Sequence, residues 1–273
     1  MRKSVVAAIL AVLVLAGCAS AEVIGRYTIF NLSEEDAAYK MRPDETDFYM
    51  GIDVSRISVK YYNSISAMLL ALTKGDVDSI LVPRAVGRYI LENQTNSTIR
   101  GINWWLRENS ATLNFGFMEK NLELAKKFNS AITAMKADGT LAALEKNYVD
   151  NWSAEKLPVA ASEKFDDADT VTVALTGDLP PIDYVDASGN PAGYNTAVLA
   201  EIGRRLHINI KTVNIESGAR IAALTSGVAD VIFWFRRTMY NDAAKTVADR
   251  AGNEVILSEP YYMWNEQYFI GRK

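Results

Sequence analysis

Residues 68–82 read MLLALTKGDVDSILV and residues 220–234 read RIAALTSGVADVIFW. At a constant offset of 152 they share Ala71/Ala223, Leu72/Leu224, Thr73/Thr225, Gly75/Gly227, Asp78/Asp230 and Ile80/Ile232. Each copy predicts a helix, a glycine able to take the left-handed conformation that closes it, and an aspartate leading into a buried strand. One such unit is ordinary in any α/β protein. Two in equivalent surroundings predict two similar α/β lobes in one chain.

The flanking sequence extends the pattern. Ile57–Tyr62 alternates as a strand should, residues 64–73 carry helical spacing, 77–82 read as the next strand and 84–92 as the next helix. Strands alternating with helices at this pitch predict βαβ units and mainly parallel sheets. From 121 to 136 the residues Leu124, Phe128, Ala131, Ile132 and Met135 form one helical face that stops at Gly139, with a short helix over 141–148 beyond it. Residues 151–170 are polar and aperiodic, and read as a linker. After it come strands at 171–175, 208–213 and 231–235, a helix through Val198, Leu199, Ile202 and Leu206, a short helix at 221–224, and an aromatic extended run over 261–270.

Composition narrows the function. The chain has 273 residues, 49% hydrophobic and 23% charged, enough for about two compact units. One cysteine excludes an intramolecular disulfide, and one Cys with one His excludes a conventional structural zinc site. A formal charge of −4 gives no general attraction to nucleic acid. His207 stands at a helix–strand junction, where a structural histidine is ordinary, and no second His supports a catalytic triad. The acidic clusters Glu34-Glu35-Asp36 and Asp166-Asp167-Asp169 lack calcium-loop spacing. No cofactor is expected, and no enzyme activity.

The chain begins Met1-Arg2-Lys3, then runs apolar from Val5 to Ala16, too short to span a bilayer but shaped as an export signal. Its end, Leu15-Ala16-Gly17-Cys18, resembles the lipobox of bacterial lipoproteins, which implies cleavage after residue 17 and a lipid on Cys18; an ordinary signal with an incidental Cys is the alternative. Loss of residues 1–17 lowers Lys+Arg from 29 to 27 against 33 acids, a charge of −6. The expected product is acidic, extracytoplasmic and tethered to a bacterial membrane.

From Val171 the text resembles an extracytoplasmic solute-binding protein of the amino-acid type, family 3. The stretches that carry it are VTVALTGDLPPIDYVDASGNPAGYNTAVLAEIGRRLHINIKTV, IAALTSGVADVIF and LSEPYY. Residues 61–149 resemble the other half of that family, with ALTKGDVDSILV in its second lobe and LAKKFNSAITAMKADGTLAALEKNYV as the closing helices that pack on the first lobe. The resemblance implies a two-lobed α/β fold of the periplasmic-binding-protein type II with mainly parallel sheets. It also implies a circularly permuted order, because the family's second half comes first. The expected division is 1–17 signal, 18–112 the family's second lobe, 113–150 a crossover strand and closing helices, 151–170 linker and 171–273 the family's first lobe. A tandem duplication and a swapped dimer are the alternatives. Residues 22–53 match the family poorly.

In such folds the ligand lies beyond the carboxyl ends of the strands. The candidates are Asp178 and Tyr184 near the Pro-Pro turn, Trp234, Arg236, Arg237 and Thr238 after the repeat strand, and Arg84 at the matching place of the first copy. An arginine at each strand end could clamp an anion. Three positions depart from the resemblance: Asp242 stands where the carboxylate-binding arginine is expected, Leu179 where a stacking aromatic is expected, and Pro83 where an acid is expected. The expected function is a lipid-anchored binding component of an ABC-type transporter, closing on a small polar or anionic solute and contacting the transporter's membrane subunits. The alternative is a degenerate sensor or scaffold that binds a partner protein.

Overall fold

The computed structural model describes residues 22–27, 57–93, 98–106, 111–151, 162–237, 246–248, 254–264 and 267–273. The repeat supplies the nuclei of two sheets. In the first copy, helix α1 (Ile65–Lys74) is capped by Ser64, whose hydroxyl accepts from the Ala67 N–H at 3.1 Å. It buries Ile65, Met68, Ala71 and Leu72 on one face and ends at Gly75 with φ 88. In the second copy, helix α6 (Arg220–Ser226) ends at Gly227 with φ 77. A left-handed residue at that place lets its N–H return to the last turn, and glycine takes it without Cβ strain.

The shared aspartate has the same task in both. Strands β1 (Glu22–Tyr27) and β3 (Ser79–Pro83) lie side by side in the first sheet, as do β6 (Thr170–Leu175) and β11 (Val231–Arg237) in the second. The Asp78 carboxylate accepts from the Val23 N–H and its own N–H donates to the Val23 carbonyl; Asp230 does the same with Thr172, and all four distances are 2.8–2.9 Å. Each aspartate thus pins the start of a central strand.

The first sheet runs β2 (Ile57–Tyr62), β1, β3, β15 (Gln267–Arg272), β4 (Ile99–Leu106). The second runs β10 (Asn209–Asn214), β6, β11, β5 (Ala111–Met118), β13 (Glu254–Leu257), β12 (Thr246–Ala248), with β14 (Tyr262–Trp264) also on β5. Each sheet places its own first three strands in the order second, first, third, with one antiparallel strand from the other unit seated beside the third. The fold is therefore α/β with two lobes. Within 171–273 the last strand, β15, leaves the second sheet and fills the gap between β3 and β4, where both its edges find ladder partners and Ile270 is fully buried. The crossover strand begins at Ala111, ahead of the expected 113.

Helices α3 (Leu122–Ala137) and α4 (Thr140–Glu145) cover the second sheet. Phe128 of α3 meets Phe115 and Phe117 of β5 edge-on, with ring centroids 5.4 and 5.2 Å apart. Helix α2 (Arg84–Asn93) follows β3, and α5 (Tyr194–Leu206) follows a small sheet of β7 (Asp178–Leu179), β8 (Asp183–Val185) and β9 (Pro191–Ala192). His207 closes α5 in the left-handed conformation (φ 52), exposed, with its Nε2 3.0 Å from Asp167 Oδ1. Among the described residues no helix is long and apolar enough to cross a membrane.

Candidate functional site

Tyr27 ends β1 and Asp178 stands just past β6, so both sit where parallel strands finish, on opposite units. The Tyr27 hydroxyl donates to Asp178 Oδ1 at 2.5 Å, and the Ile65 N–H at the start of α1 donates to Oδ2 at 2.9 Å. A carboxylate is favoured there because the first N–H groups of a helix have no partner within it and carry partial positive charge. Burial nonetheless raises the Asp178 pKa from the ordinary aspartate value, against the lowering effect of these donors. Burial and the nearby Asp178 charge push the Tyr27 phenol up as well. The units also meet where Ser217 Oγ donates to the Asn63 carbonyl at 3.4 Å and where Arg88 Nη2 donates to the Asp150 carbonyl at 2.9 Å.

Beside Asp178 lies a cavity of about 310 Å³ walled by both units. From the first come Ser66 and Leu69 of α1 and Tyr89 and Asn93 of α2; from the second come Pro180 and Tyr184 around the β7–β8 hairpin. The Tyr89 and Tyr184 rings are 6.4 Å apart at 39°. Burial, with the neighbouring Tyr89, pushes the Tyr184 phenol up to about 12.

The hairpin is held from beneath by Asp183. Its Oδ2 accepts from the backbone N–H and the hydroxyl of Thr176, both at 2.8 Å, and its Oδ1 is buried with no hydrogen-bond partner among the described residues. Burial raises its pKa to about 6. Arg220 heads α6 as a buried cation, its pKa lowered by burial to about 10 and partly restored by the neighbouring Tyr27.

The structure thus brings together Asp178 and Tyr184 from the expected set. Arg84 is exposed at the start of α2 and is not part of the cavity wall. Trp234, Arg236 and Arg237, expected after the repeat strand, are corrected in place: their backbone continues β11, paired with Asn114, Thr112 and Ala111. The side chains of these three, all of Thr238, Asp242 and Cys18, and the acidic cluster at 34–36 lie outside the described residues. Of the other departures, Leu179 is fully buried core and Pro83 is paired within β3. Tyr27, Tyr89, Asn93, Asp183 and Arg220 were not among the expected site residues. A signal for Arg220 exists in the repeat, where it replaces the fully buried Met68 of the first copy.

The loop after β6, the hairpin and the helix that follows it can be compared with known proteins. Residues 171–273 match the bacterial extracellular solute-binding proteins, family 3. This family 3 segment is the one singled out from its sequence, and the family is one of binding proteins. No curated protein matches the chain. Among solved structures, similarity is found to a periplasmic binding protein, AgaA, of A. tumefaciens R10 in complex with agropinic acid, at 13% identity and TM-score 0.44 over 80% of this chain and 55% of that one. A ligand-binding component of an ABC-type import system from Staphylococcus aureus gives 10% identity and TM-score 0.40 over 92% and 65%. The GluR0 ligand-binding core of Nostoc punctiforme in complex with L-glutamate gives 12% and 0.38 over 92% and 85%. The chain spans less than two thirds of the length of the first two.

Within the family 3 segment, the shared text is largely scaffold. Gly193 adopts φ 100, and a Cβ there would lie 2.7 Å from the Pro181 carbonyl oxygen. Tyr194 donates its hydroxyl to the Tyr261 carbonyl at 2.8 Å, and Tyr261 donates its own to Asn195 Oδ1 at 2.9 Å. These contacts lock the GYN and EPYY stretches together and hold the hairpin that carries Asp178 and Tyr184.

Proposed function

We propose that this protein is a lipid-anchored, extracytoplasmic solute-binding component of an ABC-type importer, which captures a small polar solute by closing its two lobes and transfers it to the membrane subunits. The observation that carries this reading is the cavity whose walls come from both units and whose edge is the Tyr27–Asp178–Ile65 contact. A solute touching both walls would favour the closed arrangement through its differential contacts. The export signal and the lipobox-like Leu15-Ala16-Gly17-Cys18 support the location.

The chain order supports a circular permutation. Each sheet is completed within one chain by a strand from the other unit, and the two ends of the described chain converge: Asp78 accepts from Val23 N–H at 2.9 Å and pairs with Arg272 at 3.5 Å. A connection from β15 to β1 would need few residues, and 151–170 would then be the join between the original ends.

A second reading is favoured by the same contact between the units. Asp178 accepts from Tyr27 and from the start of α1, so the units are tied by their own groups, which suits a sensor or scaffold held shut and read by a partner protein. Thermal-shift screening of the mature protein against amino acids, amines, sugars and dicarboxylates separates the two. A solute at 100 times its dissociation constant adds about 2.7 kcal/mol of stability. Stabilisation by none of them would overturn the transport reading.

A further inference from the structure

Among the described residues, the wall of the cavity between the units holds one carboxylic acid, Asp178, and neither Lys nor Arg. At the start of α1, the other charge-bearing end nearby, the Ile65 N–H already donates to Asp178 Oδ2. A carboxylate entering here would find that donor engaged and a like charge at short range in a partly desolvated wall. An ammonium would find the opposite. Tyr89 and Tyr184, with ring centroids 6.4 Å apart, place aromatic rings in the wall, whose faces draw cations, and Asp178 offers the counter-charge. Asn93 and Ser66 add neutral polar groups on the first unit's wall.

We propose that this cavity selects an amine-bearing solute, seated against Tyr89 and Tyr184 with its ammonium toward Asp178, and excludes carboxylates. The proposal rests on the solute-binding reading above and deepens it, replacing the anionic solute expected from the arginines by a cationic one. Asp178 then has two roles: it ties Tyr27 and α1 to the second unit, and it reads the charge of what enters. A volume of about 310 Å³ admits a molecule the size of a short diamine or an amino alcohol.

The test is calorimetric titration of the mature protein with carbon-matched sets: cadaverine, 1,5-pentanediol and glutarate, then choline, 3,3-dimethyl-1-butanol and 3,3-dimethylbutyrate. The amine of at least one set should bind about tenfold more tightly than its alcohol, with no heat from the carboxylate. Asp178→Asn should bring amine affinity down to that of the alcohol. Tyr89→Leu, at a half-buried wall position that bears none of the contacts to Asp178, should weaken the amine about tenfold and serves if Asp178→Asn does not fold. A carboxylate binding more tightly than its amine, or amine affinity unchanged in both folded variants, would overturn the amine assignment and leave solute binding standing. Absence of binding by all six probes overturns this assignment, and solute binding falls with it only if the wider thermal-shift screen is also negative.

Discussion

Asp183 is the residue whose chemistry is most exposed to measurement. Its carboxyl binds a proton more tightly in the folded protein, with a pKa near 6, than in the unfolded chain, near 3.8. Such a group lends stability that is fully present below the unfolded value and is lost as pH rises through the folded one. Unfolding free energy should therefore fall between about pH 4 and pH 6, by up to about 3 kcal/mol from this group. Asp183→Asn keeps an oxygen for Thr176 and removes the buried charge, so it should be more stable than the parent at pH 7.5 and no more stable at pH 4. Denaturant midpoints at the two pH values check this; an equal offset at both would refute it. Neither Asp183 nor Tyr27 was legible as a site residue, since an acid in IDYVD and a tyrosine ending EVIGRY gain meaning only from what they meet.

At the scale of elements, the paired repeat has a measurable consequence. Asp78 and Asp230 each accept a backbone N–H of the strand beside them on the carboxylate, the one bond to that strand that alanine removes, so Asp78→Ala and Asp230→Ala should each cost about 1–2 kcal/mol. Matched losses in thermal unfolding would confirm equivalent roles, whereas a neutral Asp230→Ala would break the equivalence. Gly193→Ala should cost more than Gly75→Ala. A Cβ at Gly193 lies 2.7 Å from a backbone oxygen that cannot move aside, while at Gly75 the nearest group is the flexible Arg272 side chain. Phe128→Ala should cost about 3–5 kcal/mol by opening the seam between α3 and β5. The repeat elements were readable because helix period, glycine stop and strand alternation are local properties. Their ends moved by one to two residues where a cap intervened, as at Ser64 and Gly75.

For the whole molecule, the decisive prediction concerns chain order. A chain rebuilt to start at Ser162, run to Lys273, join Glu22 through a short flexible linker and end at Asn151 restores the order implied by the family resemblance. It should fold with the same circular-dichroism spectrum and bind the same solutes, because residues 23 and 272 already meet at Asp78. Failure of this chain to fold would refute the permutation. Solution scattering of the parent should show a monomer, since one chain completes both sheets.

Two lobes, their α/β class and the helix–glycine–strand units follow from the residues alone, because those features are written in short-range periodicity and in the backbone freedom of single glycines. The lipobox-like ending at Cys18 is of the same local kind. That strands cross between the lobes is implied by the resemblance, but the seats of β5 against β11 and of β15 between β3 and β4 came only with the folded chain: strand partners are chosen by long-range pairing and burial, to which local sequence is nearly blind. So did the cavity. Tyr27, Ile65, Tyr89 and Asp178 are separated by up to 151 positions, and only the meeting of the two units turns a lone aspartate in a Gly-Asp-Leu-Pro-Pro loop into part of a wall shared by both.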